Sequence, residues 1–190
     1  MTTATAAPTG LTGPARAAMF VAFLFSGACG LAYEVVWTRL ISREVGHTSF
    51  SLATVLAAFM GGLALGSWIA MRVVGRLRNP VAWYGVLEIA IGISALAVPF
   101  LLQLFHPAIA WLYRSEGLGV AYHAARFGIC ALVLLIPTTC MGATLSLLAE
   151  PLVRRREELG GTIGWLYATN TLGAVAGALA AGFLLVPSLG

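Results

Sequence analysis

Five long apolar runs govern what this chain can fold into. They cover about residues 17–40, 49–74, 81–104, 123–149 and 162–186. Each reaches the roughly 20 apolar residues that a helix needs to cross a bilayer. In hydrocarbon every backbone N–H and C=O must be satisfied internally, which restricts spanning elements to helices and closed barrels. These runs do not alternate between apolar and polar residues, so they read as helices. The charged share agrees: 9% of the chain, with 59% hydrophobic, against roughly 25% charged in a soluble domain. The expected fold is all-α and integral to the membrane. It is a bundle of about five transmembrane helices over residues 16–190, behind a disordered tail at residues 1–15.

Between the third and fourth runs, residues 105–122 mix Trp111, Tyr113 and Tyr122 with Pro, Gly and charge. Aromatic residues of this kind favour the membrane–water boundary. The segment is expected to be an interfacial hairpin or short surface helix. Pro137 falls inside the fourth run and should kink it, with Thr138 and Thr139 able to satisfy the freed groups. Arg16 followed by AAMFVAFLFSGAC has the outline of a secretory or lipoprotein signal. Ser26 stands where a lipoprotein signal wants an aliphatic residue, and the run continues to Trp37. It therefore reads as the first membrane helix.

All positive side chains are arginine and all acidic ones are glutamate. Arg16, the Arg72–Arg76–Arg78 gap and the Arg154–Arg155–Arg156 gap fall on one side of a five-helix bundle. Arg39, Arg43, Arg114 and Arg126 fall on the other. Arginine-rich loops stay cytoplasmic. The expected location is the cell inner membrane, multi-pass, with the N-terminus in the cytoplasm and Gly190 outside. The net charge of +4 is thus spread over loops. No continuous basic face exists for nucleic acid.

The second run spaces Ala58, Gly62, Gly66 and Ala70 four apart, and the fifth spaces Thr169, Gly173, Gly177 and Ala181 likewise. Lipid gives no hydrophobic drive between helices, so small residues that let backbones touch act as packing faces. Smooth faces that slide, as in a transporter, are the functional alternative.

No catalytic residues, cofactor or metal site are expected. Aspartate is absent, and His47, His106 and His123 are scattered. Cys29, Cys130 and Cys140 lie in apolar runs and form no CxxC pair. No glycine run has the dinucleotide-binding spacing.

Two carboxylates lie inside apolar runs, where ionisable groups usually mark a site or a structural pair. Glu34 has Arg39, Arg43 and Arg126 on its side of the membrane, with Arg126 at matching depth. It reads as a structural ion pair with Arg126 or Arg39. Glu88 has only neutral candidates at its depth, Asn170 and Tyr167. It is expected to hydrogen-bond Asn170, or to hold a cation or proton. Tyr33 and Trp37 flank Glu34, and Trp83 and Tyr84 flank Glu88. These rings fit a boundary belt, or the lining of an organic-cation site. The candidate ligand set is therefore Glu88, Asn170, Tyr167 and Trp83.

Four stretches carry a family resemblance: SGACGLAYEVVWTRLIS, TVLAAFMGGLALGSWIA, PTTCMGATLSLLAE and IGWLYATNTLGAVAGALAAGFLLVPSLG. Together they resemble the membrane part of bacterial spermidine synthase-like membrane proteins, in which a major-facilitator-like domain is fused to a polyamine aminopropyltransferase-like domain. GSWIAMRVVGRLRNP also resembles the loop between helices 2 and 3 of major-facilitator transporters, without that loop's usual acidic residue. The resemblance implies further helices and a soluble domain that binds decarboxylated S-adenosylmethionine and a polyamine. That domain's glycine-rich loop and acidic residues have no counterpart here, so no catalytic residue carries over.

The implied function is a membrane-embedded module that anchors or feeds a polyamine-related partner. The partners implied are the lipid bilayer, an aminopropyltransferase-like domain or protein, and a polyamine ligand, with a homo-oligomer or a membrane complex also open. The alternatives are a small exporter of an organic cation, or an accessory structural subunit of a larger membrane complex.

Overall fold

The computed structural model describes residues 13–45, 49–114, 119–153 and 156–189. Within these it is all-helical: α1 (Gly13–Val45), α2 (Ser49–Val73), α3 (Pro80–Arg114), α4 (Gly119–Leu152), α5 (Leu159–Ala180) and a short α6 (Val186–Leu189). Single 3-10 turns follow α2 and precede α5. Five of the helices are long and apolar enough to cross a membrane. The tail expected at residues 1–15 lies outside the described residues up to position 12, and α1 already begins at Gly13.

The interfacial segment expected at 105–122 takes another form. α3 continues to Arg114 and α4 starts at Gly119, and residues 115–118 lie outside the described residues. Strong helix formers, Ala108, Ala110 and Leu112, extend α3 past Pro107. At the other end of α3, Asn79 caps the helix. Its Oδ1 accepts from the Ala82 N–H at 3.1 Å, and Pro80 occupies the first helical position, where no N–H is needed. The α5 end shows the opposite effect of proline. Ala181–Leu185 forms a π turn, with Val186 between it and Pro187. Proline cannot donate to the carbonyl four residues back and its ring crowds that carbonyl, so the helix widens there.

α4 stays helical through Pro137. Thr138 Oγ1 donates to the Leu134 carbonyl at 2.6 Å. That is the carbonyl of its own preceding turn, rather than the one Pro137 frees.

The helices pair as α2 with α4, α1 with α5, and α3 with α4, while α1 touches α2, α3 and α4 more lightly. The first two pairs close at glycine. A Cβ added at Gly62 would strike Thr138, and one at Gly66 would strike the Thr139 carbonyl. A Cβ at Gly173 would strike the Leu24 carbonyl, and one at Gly177 the Ala28 carbonyl. Gly142 and Gly27 return the contact, onto the backbones of Leu63 and Asn170. Ala58 is also buried. Backbone-to-backbone approach of this kind is how helices associate without a hydrophobic drive.

Two clusters of larger side chains fill the remaining space. One joins Trp37 and Ile41 of α1 to Val55 and Phe59 of α2, Val98 of α3 and Leu134 of α4. The other, nearer the arginine-rich end, joins Phe23 of α1, Tyr84 of α3, Leu148 of α4 and Leu166 of α5. Trp37 is only 1% exposed and stacks on Tyr33, with ring centroids 5.5 Å apart. A place in a boundary belt, expected for these two rings, is therefore excluded for Trp37.

Candidate functional site

The glycine-closed pairs leave a cleft where they face each other. Its volume is about 230 Å³, and α1, α2, α4 and α5 all line it. Gly27, Gly30 and Gly142 form part of the wall, so main chain as well as side chains faces the space. Its hydroxyls are partly committed. Ser67 Oγ donates to the Gly142 carbonyl at 2.8 Å, and Thr144 Oγ1 donates to the Met141 carbonyl at 2.7 Å. Asn170 Nδ2 donates to the Phe23 carbonyl of α1 at 3.1 Å. That bond pins α5 to α1 and leaves the Asn170 carbonyl oxygen as an acceptor. Tyr167 borders the same cleft and is largely exposed.

Glu88 does not line this cleft. It sits on α3, half-buried, on the side turned to α1. Tyr84, one turn earlier, brings its hydroxyl near the Glu88 carboxylate and near Ser26 of α1. The geometry is imperfect: Tyr84 Oη and Glu88 Oε1 are both buried, and neither makes a hydrogen bond of good geometry among the described residues. Cys29 and Tyr33 of α1 lie within electrostatic reach of Glu88. Its surroundings are therefore polar, and among the described residues it makes no ion pair. A bare carboxylate in such a place is costly. Ser26 belongs to both regions, since it meets Tyr84 and lines the cleft.

The residues named from the sequence are thus distributed. Asn170 and Tyr167 share the main cleft. Trp83 lines a separate, wholly apolar cleft between α2, α3 and α4, with Leu87 and Leu147. Glu88 lines neither, and Asn170 bonds Phe23 rather than Glu88. Glu34 is half-buried and Arg39 exposed. Among the described residues Glu34 makes no ion pair, and the Arg126 side chain lies outside them. Sequence reasoning missed Ser26 and took Tyr84 only as a flanking ring. The four-residue spacing of Tyr84 and Glu88, which puts them on one helix face, was the available signal.

No protein-family model matches the chain, and no solved structure matches it significantly. Curated proteins do. Polyamine aminopropyltransferase 2 of Streptomyces coelicolor is 34% identical over 164 residues, which is 86% of this chain and 28% of that protein. Polyamine aminopropyltransferase 1 of the same organism is 28% identical over 93% of this chain and 30% of its own length. The polyamine aminopropyltransferase of Mycobacterium tuberculosis is 29% identical over 92% of this chain and 32% of its own length. The chain spans less than a third of the length of these relatives. Over most of its residues it is related to a segment of proteins named polyamine aminopropyltransferase, which makes the spermidine synthase-like relationship the one its sequence supports.

Proposed function

We propose that the chain is the membrane-embedded, major-facilitator-like module of a spermidine synthase-like protein. In this reading it lies in the inner membrane with its N-terminus cytoplasmic, and it anchors or feeds an aminopropyltransferase-like domain or protein. The observation that carries the reading is the similarity just described, which falls on a chain with five helices apolar enough to cross a membrane. Arg72 supports the orientation. It lies over the Trp68 ring at 3.5 Å and donates to the Trp68 carbonyl at 3.2 Å. An arginine folded back on tryptophan at a helix end suits a membrane–water interface, and the further arginines of the same gap, Arg76 and Arg78, favour the cytoplasmic one.

Within this module Glu88 would hold one ammonium group of a polyamine. Tyr84 and Ser26 would position the carboxylate, and the cleft at Asn170 and Tyr167 would take the rest of the slender chain. Support comes from the unmet Glu88 Oε1 and from aromatic neighbours, which suit an organic cation. The test is alkaline carbonate extraction of membranes, followed by purification in mild detergent and mass spectrometry of what accompanies the chain. The chain should stay in the membrane pellet and elute with a polyamine or an aminopropyltransferase-like domain. Release by carbonate would contradict the membrane reading. Retention with neither companion would contradict the polyamine reading.

A further inference from the structure

The ion pair expected for Glu34 lacks the geometry. Gly30 of α1 lies beside Met141 of α4, and Trp37 and Ile41 share a cluster with Leu134 and Cys130, so α1 and α4 run antiparallel. At 1.5 Å per residue this register sets the Arg126 backbone about 16 Å beyond the level of Glu34. The two do not share a depth. Arg39 and Arg43 follow Glu34 on α1 at spacings that turn them to the far flank of the helix, since only residues three or four apart face each other.

The face that Glu34 does share is that of the main cleft. Gly27, Gly30 and Leu31 line the cleft, and Glu34 stands one turn beyond Gly30 and Leu31. Side chains of a helix lean toward its N-terminus, so the half-buried Glu34 leans back over Gly30. There is room for it, because a Cβ on Gly30 would meet nothing nearer than Met141 Sδ at 3.9 Å among the described residues. Ser26, Gly30 and Glu34 follow one another at four-residue spacing and form one ridge of α1. Glu88 stands on the other flank, near Cys29 and Tyr33, with Tyr84 beside it near Ser26. The two carboxylates thus flank α1, roughly one helix diameter or about 10 Å apart, and the small residues Ser26 and Gly30 form a low saddle between them.

We infer that Glu34 holds the second ammonium group of the ligand, so that Glu34 and Glu88 together read the length of an amine lying over Ser26 and Gly30. An extended chain gains about 1.2 Å per bond, so putrescine, with five bonds between its nitrogens, spans about 6 Å, and spermidine, with nine between its outer nitrogens, about 11 Å. Spermidine reaches both carboxylates, and putrescine reaches one at a time. The inference rests on the polyamine reading of Glu88 and adds to it a residue that sets specificity.

The test is competition against labelled spermidine on the purified chain in lipid nanodiscs. The competitors are putrescine and 1,8-diaminooctane, which carry equal charge and have five and nine bonds between their nitrogens. For the native chain the longer diamine should compete at least tenfold better, as a second charge-assisted contact requires. Glu34→Gln should narrow that ratio at least fivefold, chiefly by weakening the longer diamine, and Glu34→Asp, which keeps the charge, should largely restore it. Gly30→Val, which fills the saddle and leaves both carboxylates in place, should narrow the ratio as well. An unchanged ratio in Glu34→Gln and Gly30→Val, with spermidine still weakened by Glu88→Gln, would overturn the inference and leave the polyamine reading standing. No binding of labelled spermidine by the native chain would overturn both.

Discussion

Where α2 meets α4, and where α1 meets α5, the backbones touch at glycine. Where α3 meets α1 and α4, side chains fill the space. Gly85 and Gly92 of α3 show the contrast, since a Cβ on either would meet nothing within 4 Å. The glycine-closed pairs can tolerate no added atom and make a fixed scaffold. The α3 seam is closed by side chains such as Val98 and Leu134, and among the described residues it holds the unmet carboxylate oxygen Glu88 Oε1 and the unmet Tyr84 hydroxyl, where the glycine contact of α2 with α4 holds one unmet hydroxyl, Thr139 Oγ1. A site that takes up a ligand needs groups left unsatisfied by the protein itself, and such groups can persist only where a neighbouring scaffold holds them in place.

The largest effect that would break this comparison comes from filling a glycine contact. Gly66→Leu or Gly177→Leu must push two helix backbones apart and should destabilise the detergent-extracted chain by about 3 kcal/mol or more. Gly61→Leu, one position from the stripe and facing open space, should leave stability unchanged. Thermal aggregation of the three variants would read the difference. Equal melting of all three would show that the glycine faces are not interfaces.

A smaller effect is expected at Asn170. Asn170→Ala removes the bond to the Phe23 carbonyl and should cost about 1 kcal/mol, in line with interhelical hydrogen bonds in membranes. A fall in melting temperature matching that of Gly177→Leu would mean that the bond, not the close approach, holds α5. The smallest effect is at Arg72. Arg72→Gln removes a cation over the Trp68 ring and should cost about 0.5 kcal/mol, because the pair is exposed. Reporter fusions at the α2–α3 loop should still place it in the cytoplasm, since Arg76 and Arg78 remain.

Much of the scaffold was legible in the sequence. The four-residue spacing of Gly62 with Gly66, and of Gly173 with Gly177, marks faces that only small residues can form. Which helix each face meets was not legible. A helix that is apolar on all sides has no single stripe to name its partner, so the pairings α1–α5 and α2–α4 appear only in three dimensions. Gly27 and Gly142 were hidden for the same reason. Neither has another glycine four residues away on its helix, and each matters because of the backbone opposite. Trp37 misled because aromatic residues near the end of an apolar run suit a boundary and a core equally well. For Glu88, sequence depth pointed across the bundle to Asn170. The fold instead gave Asn170 a backbone partner on α1 and gave Glu88 its neighbour one turn away, Tyr84.

The central proposal is that Glu88, whose Oε1 has no hydrogen-bond partner among the described residues, binds a polyamine. Equilibrium binding of labelled spermidine to the purified chain in lipid nanodiscs tests it directly, with Glu88→Gln compared at equal thermal stability. The account predicts saturable binding by the native chain and a loss of at least tenfold in affinity in Glu88→Gln, which keeps the shape and removes the charge. Absence of binding by the native chain, or equal binding by the two proteins, would contradict it.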